Sequence, residues 1–248
     1  MSGYNPWKNS YKKKFKKVKR VVDEKITDPT VFSNHNSERC LDSRILFPHL
    51  PQFIQCAFID PGKVSCGIRI VRYYIQSNYI DLLWFGIHNF GVGMEQVITG
   101  VESEILPIKE KLQMCHHIII ESQFMKNEVN FRTFQHMISY IESFTRNVGM
   151  RAIIFEVDIA LKTVFIGGPR NKNQYGGHEI KEWSKLKARY EMIKRGDYVS
   201  VSTLESCLDK QDEDLSDTVC YEFAWWKYIG TIKHLFSDVF WLIQLLKC

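Results

Sequence analysis

The segment FIQCAFID, Phe53–Asp60, is apolar along most of its length instead of alternating, the pattern of a strand buried within a sheet. It ends on one carboxylate, followed at once by Pro61 and Gly62, and a second apolar run, VSCGIRIVRYYI, resumes at Val64. A third run, YIDLLWFGIHNF, follows the short break QSN, so the three are expected to form an antiparallel meander joined by tight turns. Beyond it, GMEQVITGVESEILPIKEKLQ has apolar residues near helical spacing, with Pro107 placed to end or kink the helix. CHHIIIES is then a short buried strand, NFRTFQHMISYIESFTRNVG an amphipathic helix closed by Gly149, and MRAIIFEVD another strand.

Three strands followed by helix, strand, helix and strand is the element order of a ribonuclease H-like α/β fold, a mixed five-stranded sheet flanked by helices, although other α/β folds share parts of it. The expected organisation is a basic, flexible N-terminal arm over residues 1–45 and a body over 46–248 that ends in a helical extension. The arm is expected because KNSYKKKFKKVKR, Lys8–Arg20, carries eight basic residues and no acidic one, which exceeds the net charge of +5 of the whole chain. Such a run repels itself and buries no core; it suits polyanion binding, an import signal, both, or a solvated tail. The chain of 248 residues has 45% hydrophobic content, enough for a proper core. Seven cysteines without a CxxC pair suggest neither a disulfide framework nor a zinc knuckle, and a reducing intracellular compartment fits them best. No apolar leader or membrane span is expected, since IKHLFSDVFWLIQLL is broken by Lys233, His234 and Asp238.

The chemistry follows from where the carboxylates fall. Asp60 ends the first strand and Glu121 the fourth; with those strands adjacent and parallel, both acids emerge at one edge of the sheet. Asp214 and Asp217, three apart in DEDLSDTV, are expected on one face of the first turn of a helix. Four carboxylates crowded together repel one another unless cations sit between them. Two divalent ions roughly 3.5–4 Å apart are the recurring device for cutting phosphodiesters, and oxygen-only ligands favour Mg2+ or Mn2+ over zinc. Singly, each acid has a plainer reading: Asp60 a turn residue before Pro-Gly, Glu121 a helix N-cap or loop charge, Asp214 and Asp217 charges that complement a helix dipole. His116 and His117 alternate along a strand, so one of them is expected to be a core or edge histidine.

In this order the segments resemble the motifs of RuvC-type Holliday junction resolvases. FIDPGKVSCGIRIV is similar to the family's first motif, IIIESQFMKN to its second, ALKTVFIGG to the stretch after the fifth strand, and DEDLSDTV to the last. The Asp-Leu-Ser-Asp form looks most like resolvases of large cytoplasmic DNA viruses and fungal mitochondria. The resemblance spans about residues 53–229. It implies that Asp60, Glu121, Asp214 and Asp217 hold two metal ions, that Phe124 stacks on a base near the crossover or else fills core, and that Lys162 lies near the scissile phosphate. It implies a second basic residue from EIKEWSKLKARYEMIKR, for which Lys181, Lys185 and Lys187 compete. Lys126 follows Phe124 in the second motif, and Arg170 and Lys172 sit in GGPRNKNQYGG, either a DNA-contacting loop or a plain surface loop. Where the family's last helix runs on into small residues, CYEFAWWKY here is bulky and aromatic.

The function expected is a metal-dependent endonuclease that resolves four-way DNA junctions by paired symmetrical nicks. A two-fold symmetric junction implies a homodimer. The setting expected is intracellular, in the nucleus or at a cytoplasmic site of viral replication, with the arm bound to DNA or an import receptor. The alternatives are another nuclease on this fold, acting on RNA/DNA hybrids or flaps, and a non-catalytic nucleic-acid-binding accessory protein.

Overall fold

A computed structural model describes residues 32–34, 53–62, 64–74, 79–91, 93–123, 128–145, 152–158, 160–168 and 177–245, with side chains to Ile229 on the last helix. Its strands are β1 (Phe32–Asn34), β2 (Phe53–Asp60), β3 (Cys66–Tyr74), β4 (Tyr79–His88), β5 (His117–Glu121) and β6 (Ile153–Val157). They form one sheet in the order β1-β6-β5-β2-β3-β4. β2, β3 and β4 are the antiparallel meander, while β5 runs parallel to both β2 and β6. The order β4-β3-β2-β5-β6, three antiparallel strands continued by two parallel ones, is the ribonuclease H-like arrangement. β1 adds three residues antiparallel to β6 at the edge. It comes from within the span expected to be the arm; three residues are too few to carry a period, and the rest of residues 1–45 lies outside the described residues.

Helices α1 (Met94–Ile105), α2 (Lys109–Gln113) and α3 (Glu128–Thr145) cover one face, and α4 (Ala160–Ile166), α5 (Gly177–Lys194), α6 (Tyr198–Ser206) and α7 (Asp209–Leu245) the other. Pro107 acts as expected: α1 stops at Ile105, and a single 3-10 turn over Leu106–Ile108 separates it from α2. Gly149, expected to close α3, lies outside the described residues.

The period of two along each strand sorts the core. Ala57 and Ile59 of β2 join Ile118 and Ile120 of β5 under α1 and α3, whereas Ile54, Cys56 and Phe58 join Ile119 under α7. Asp60 is in phase with Cys56 and Phe58, and Glu121 is in phase with Ile119. Both terminal carboxylates therefore face the α4–α7 layer. Trp225, fully buried, fastens α7 there, with ring centroids 4.7 Å from Phe155 and 5.7 Å from His117. Truncating an aromatic side chain at such a site costs about 3–5 kcal/mol.

α7 starts earlier than the sequence suggested. Its first residue is Asp209, so Asp214 and Asp217 lie beyond the first turn. The stretch between Asp209 and Asp214 contains no helix breaker, and lysine, glutamine and glutamate all extend a helix readily.

Candidate metal centre

Gly67 explains how α7 comes close enough to the strand ends to complete a site. It pairs across the ladder with Asp60, and a Cβ there would lie 2.7 Å from the backbone oxygen of Asp214. Only a bare backbone lets the helix rest on β3 at that point, opposite the last residue of β2. Gly62 is constrained too, since a Cβ on it would meet the Ser65 backbone oxygen at 2.4 Å, so the chain turns sharply away from Asp60.

Asp60, Glu121 and Asp217 each present a carboxylate oxygen such that all three lie within 4.8 Å of one another. Glu121 is buried, while Asp60 and Asp217 are partly open to solvent. Lys162, from α4 and only 1% exposed, pairs with Asp217, and its Nζ lies 5.1 Å from the ring centroid of Tyr221. The Tyr221 hydroxyl donates to Glu121 Oε2 at 2.6 Å. Asp214 stands one helical turn before Asp217. Its Oδ1 accepts from Lys210 Nζ at 2.8 Å, and its Oδ2 is buried without a hydrogen-bond partner.

The electrostatics follow from that crowding. Burial, then the charges of Glu121 and Asp217, hold the Asp60 carboxyl well above the usual carboxylate range, with Lys162 pulling the other way. Burial also raises Glu121; Lys162 and the Tyr221 hydrogen bond offset part of the rise, and Asp217 adds to it. Burial pulls the pKa of Lys162 down, but Asp217, Glu121 and Asp60 outweigh it and raise the pKa. Four carboxylates thus share one buried ammonium and one at the rim, and one buried oxygen lacks a partner. An excess of hard oxygen donors of this kind fits a divalent cation of the Mg2+ or Mn2+ class.

The structure thus brings together Asp60, Glu121, Asp217 and Lys162, with Asp214 alongside. The three lysines of α5 pair elsewhere: Lys181 with Glu213 at 2.5 Å, Lys185 with Glu182 at 2.6 Å and Lys187 with Glu191 at 2.6 Å. Phe124, Lys126, Arg170 and Lys172 lie outside the described residues. Sequence reasoning missed Tyr221 and Lys210, although each is four residues along the helix from an acid it had selected. His117 is the core histidine: fully enclosed, edge-on to Phe155 and Trp225, with its pKa pushed down to about 3 by burial. His116 instead accepts the Gln55 amide hydrogen at Nδ1, 3.0 Å away. Among the described residues the five cysteines are free, and no helix is long and apolar enough to cross a membrane.

No protein-family model and no curated protein matches this chain. Among solved structures it is similar to RuvC of Thermus thermophilus, at 14% identity over 72% of this chain and 98% of that one, with a TM-score of 0.48. It is also similar to the fowlpox virus resolvase in complex with substrate Holliday junction DNA, at 16% identity over 69% of this chain and 97% of that one, TM-score 0.47. A third likeness is to the yeast mitochondrial Holliday junction resolvase, at 11% identity over 79% of this chain and 89% of that one, TM-score 0.47.

Proposed function

We infer that the chain is a metal-dependent endodeoxyribonuclease that resolves four-way DNA junctions. The observation that carries the reading is the convergence of Asp60, Glu121 and Asp217, from three separate elements, around the buried ammonium of Lys162. The motif resemblance narrows the substrate to junction DNA.

Asp60, Glu121, Asp214 and Asp217 would hold two ions of Mg2+ or Mn2+, the donors coming from two strand ends and one face of α7. Such ions activate the attacking water and stabilise the leaving oxygen of a phosphodiester. The chain's own part is to fix the donors: β2 and β5 hold Asp60 and Glu121 in parallel register, and the contact at Gly67 sets α7 against them. Lys162, held by Asp217, keeps positive charge at the wall of the site where a phosphate would approach. The paired nicks of a symmetrical junction require two such sites, hence a homodimer. The arm would bind DNA or an import receptor, and the chain would work in the nucleus or at a cytoplasmic site of viral replication.

The test incubates purified protein with labelled four-way junction, duplex, flap and RNA/DNA hybrid, with and without Mg2+ or Mn2+. Symmetrical nicking of the junction, dependent on the metal and made by a species that sediments as a dimer, is the expected result. Preferential cutting of hybrid or flap would make it a different nuclease. Tight junction binding without cleavage in either metal would make it an accessory protein.

A further inference from the structure

Tyr221 stands where sequence reasoning saw only bulk. It is one helical turn beyond Asp217, on the same face of α7, and is 1% exposed. Its hydroxyl donates to Glu121 Oε2 at 2.6 Å, and the Lys162 ammonium, itself paired with Asp217, lies 5.1 Å from its ring centroid. One side chain from α7 therefore touches an acid from β5 and the lysine from α4. Glu121 is a long side chain on the last residue of a strand, with three rotatable bonds between backbone and carboxylate. Without a fixed donor it can turn in several ways.

We propose that Tyr221 is a positioning residue of the metal centre: its phenol holds Oε2 of Glu121 and so fixes the orientation in which this carboxylate would meet a cation. Donors of this kind behind a metal-binding carboxylate set its orientation, and losing one typically weakens metal binding about 10- to 100-fold. The plain alternative is that the ring only fills the core, since it also packs among the aliphatic side chains of the α4–α7 layer. Tyr221→Phe separates the two roles because it keeps the ring, and with it the packing and the face presented to Lys162, and removes only the hydroxyl.

This rests on the reading of the site as a metal centre. Mn2+ binding is followed by calorimetry on the full chain for wild type, Asp60→Asn, Tyr221→Phe, Glu121→Gln and the Tyr221→Phe/Glu121→Gln double variant, beside thermal melting and metal-free binding of a four-way junction. Expected are an Mn2+ affinity lowered about 10-fold or more by Tyr221→Phe, melting within a few degrees of wild type, and unchanged metal-free junction binding. In the Glu121→Gln background the same change should have no further effect on Mn2+, because Tyr221 acts through Glu121. An Mn2+ affinity within twofold of wild type overturns the proposal, as does a melting temperature that falls by more than a few degrees or an equal loss in the double variant. If wild-type Mn2+ binding is absent, or survives Asp60→Asn, the metal centre falls, and the role of Tyr221 with it.

Discussion

Tyr221 and Glu222 are neighbours on α7, both buried, and they serve two ionic clusters of opposite character. Glu222 belongs to a balanced one. Arg69, fully buried on β3, donates to Glu222 at 2.5 Å, to Asp197 at 2.7 Å and to Ser200 at 2.8 Å, and Arg195 bridges the same two acids. Two guanidinium groups meet two carboxylates, and Asp197 also caps α6 by accepting from the Ser200 amide. Around Tyr221, four carboxylates meet one buried lysine. The pKa directions record the contrast: burial raises Glu222, but Arg195 and Arg69 outweigh it and leave its pKa low, whereas Asp60 is pushed far up. A buried charge cluster that closes on itself holds the fold together; one left with surplus negative charge has room for cations from outside.

Neutralising an acid in the unbalanced cluster should remove function and spare the fold. Asp60→Asn is expected to take junction cleavage below detection while the metal-free protein melts at or above the wild-type temperature, because the repulsion of Asp60 by Glu121, Asp217 and Asp214 is relieved. Junction binding should persist or strengthen, since one negative charge facing the phosphates is gone. Cleavage at the wild-type rate would take Asp60 out of the site.

The same operation on the balanced cluster should do the reverse. Glu222→Gln leaves the buried Arg69 and the partly buried Arg195 short of charge, a loss of about 3–5 kcal/mol in chemical denaturation. The pH dependence follows from the sign of the shift. The folded-state pKa of Glu222 lies below its unfolded value of about 4.3, so its stabilisation is complete above that pH and disappears as pH falls through the folded value. The stability gap between wild type and Glu222→Gln should thus be widest near neutrality and close on acidification below about pH 4. A gap that stays constant to pH 3 would mean that the carboxylate's charge is not what holds the two arginines.

Gly67 joins the two clusters mechanically, since α7 carries residues of both. Gly67→Ala places a methyl group against the Asp214 backbone, an overpacking expected to cost about 1–3 kcal/mol. The displaced helix takes Asp214 and Asp217 away from Asp60, so cleavage should fall by more than the stability loss accounts for. Equal losses would show that the site tolerates movement of the helix.

The two clusters also differ in how far they could be read from sequence. Asp60 and Glu121 were legible because each ends an apolar strand, and a period of two with parallel adjacency fixes the edge and the face on which they emerge. Asp214 and Asp217 were legible from their spacing, although the start of α7 was misplaced because the residues before them favour helix as much as those after. The balanced cluster left no trace: Arg69 sits in the apolar run GIRIVRYY, and its partner Glu222 is 153 residues away among aromatics. Tyr221 was hidden in another way, because an aromatic within a buried helix looks like packing until its hydroxyl is seen to meet a carboxylate.

The smallest expected effect is at the rim, and it shows where the unbalanced cluster meets solvent. Among the described residues Lys210 is the lysine that pairs with Asp214, but its side chain is 67% exposed, unlike the enclosed Arg69. Exposed pairs of this kind are worth at most about 1 kcal/mol, because water screens the attraction and the long side chain loses freedom in making it. Lys210→Ala should therefore hardly change melting. Its effect belongs to the metal: Lys210 and an incoming cation compete for the Asp214 carboxylate, so removing the lysine should tighten Mn2+ binding by a few-fold at low ionic strength, and added salt should erase the difference. Weaker Mn2+ binding in Lys210→Ala would mean that the lysine positions Asp214 for the ion instead of competing with it. The rim would then belong to the machinery of the site, and the contrast between a closed cluster and an open one would need a third, intermediate case.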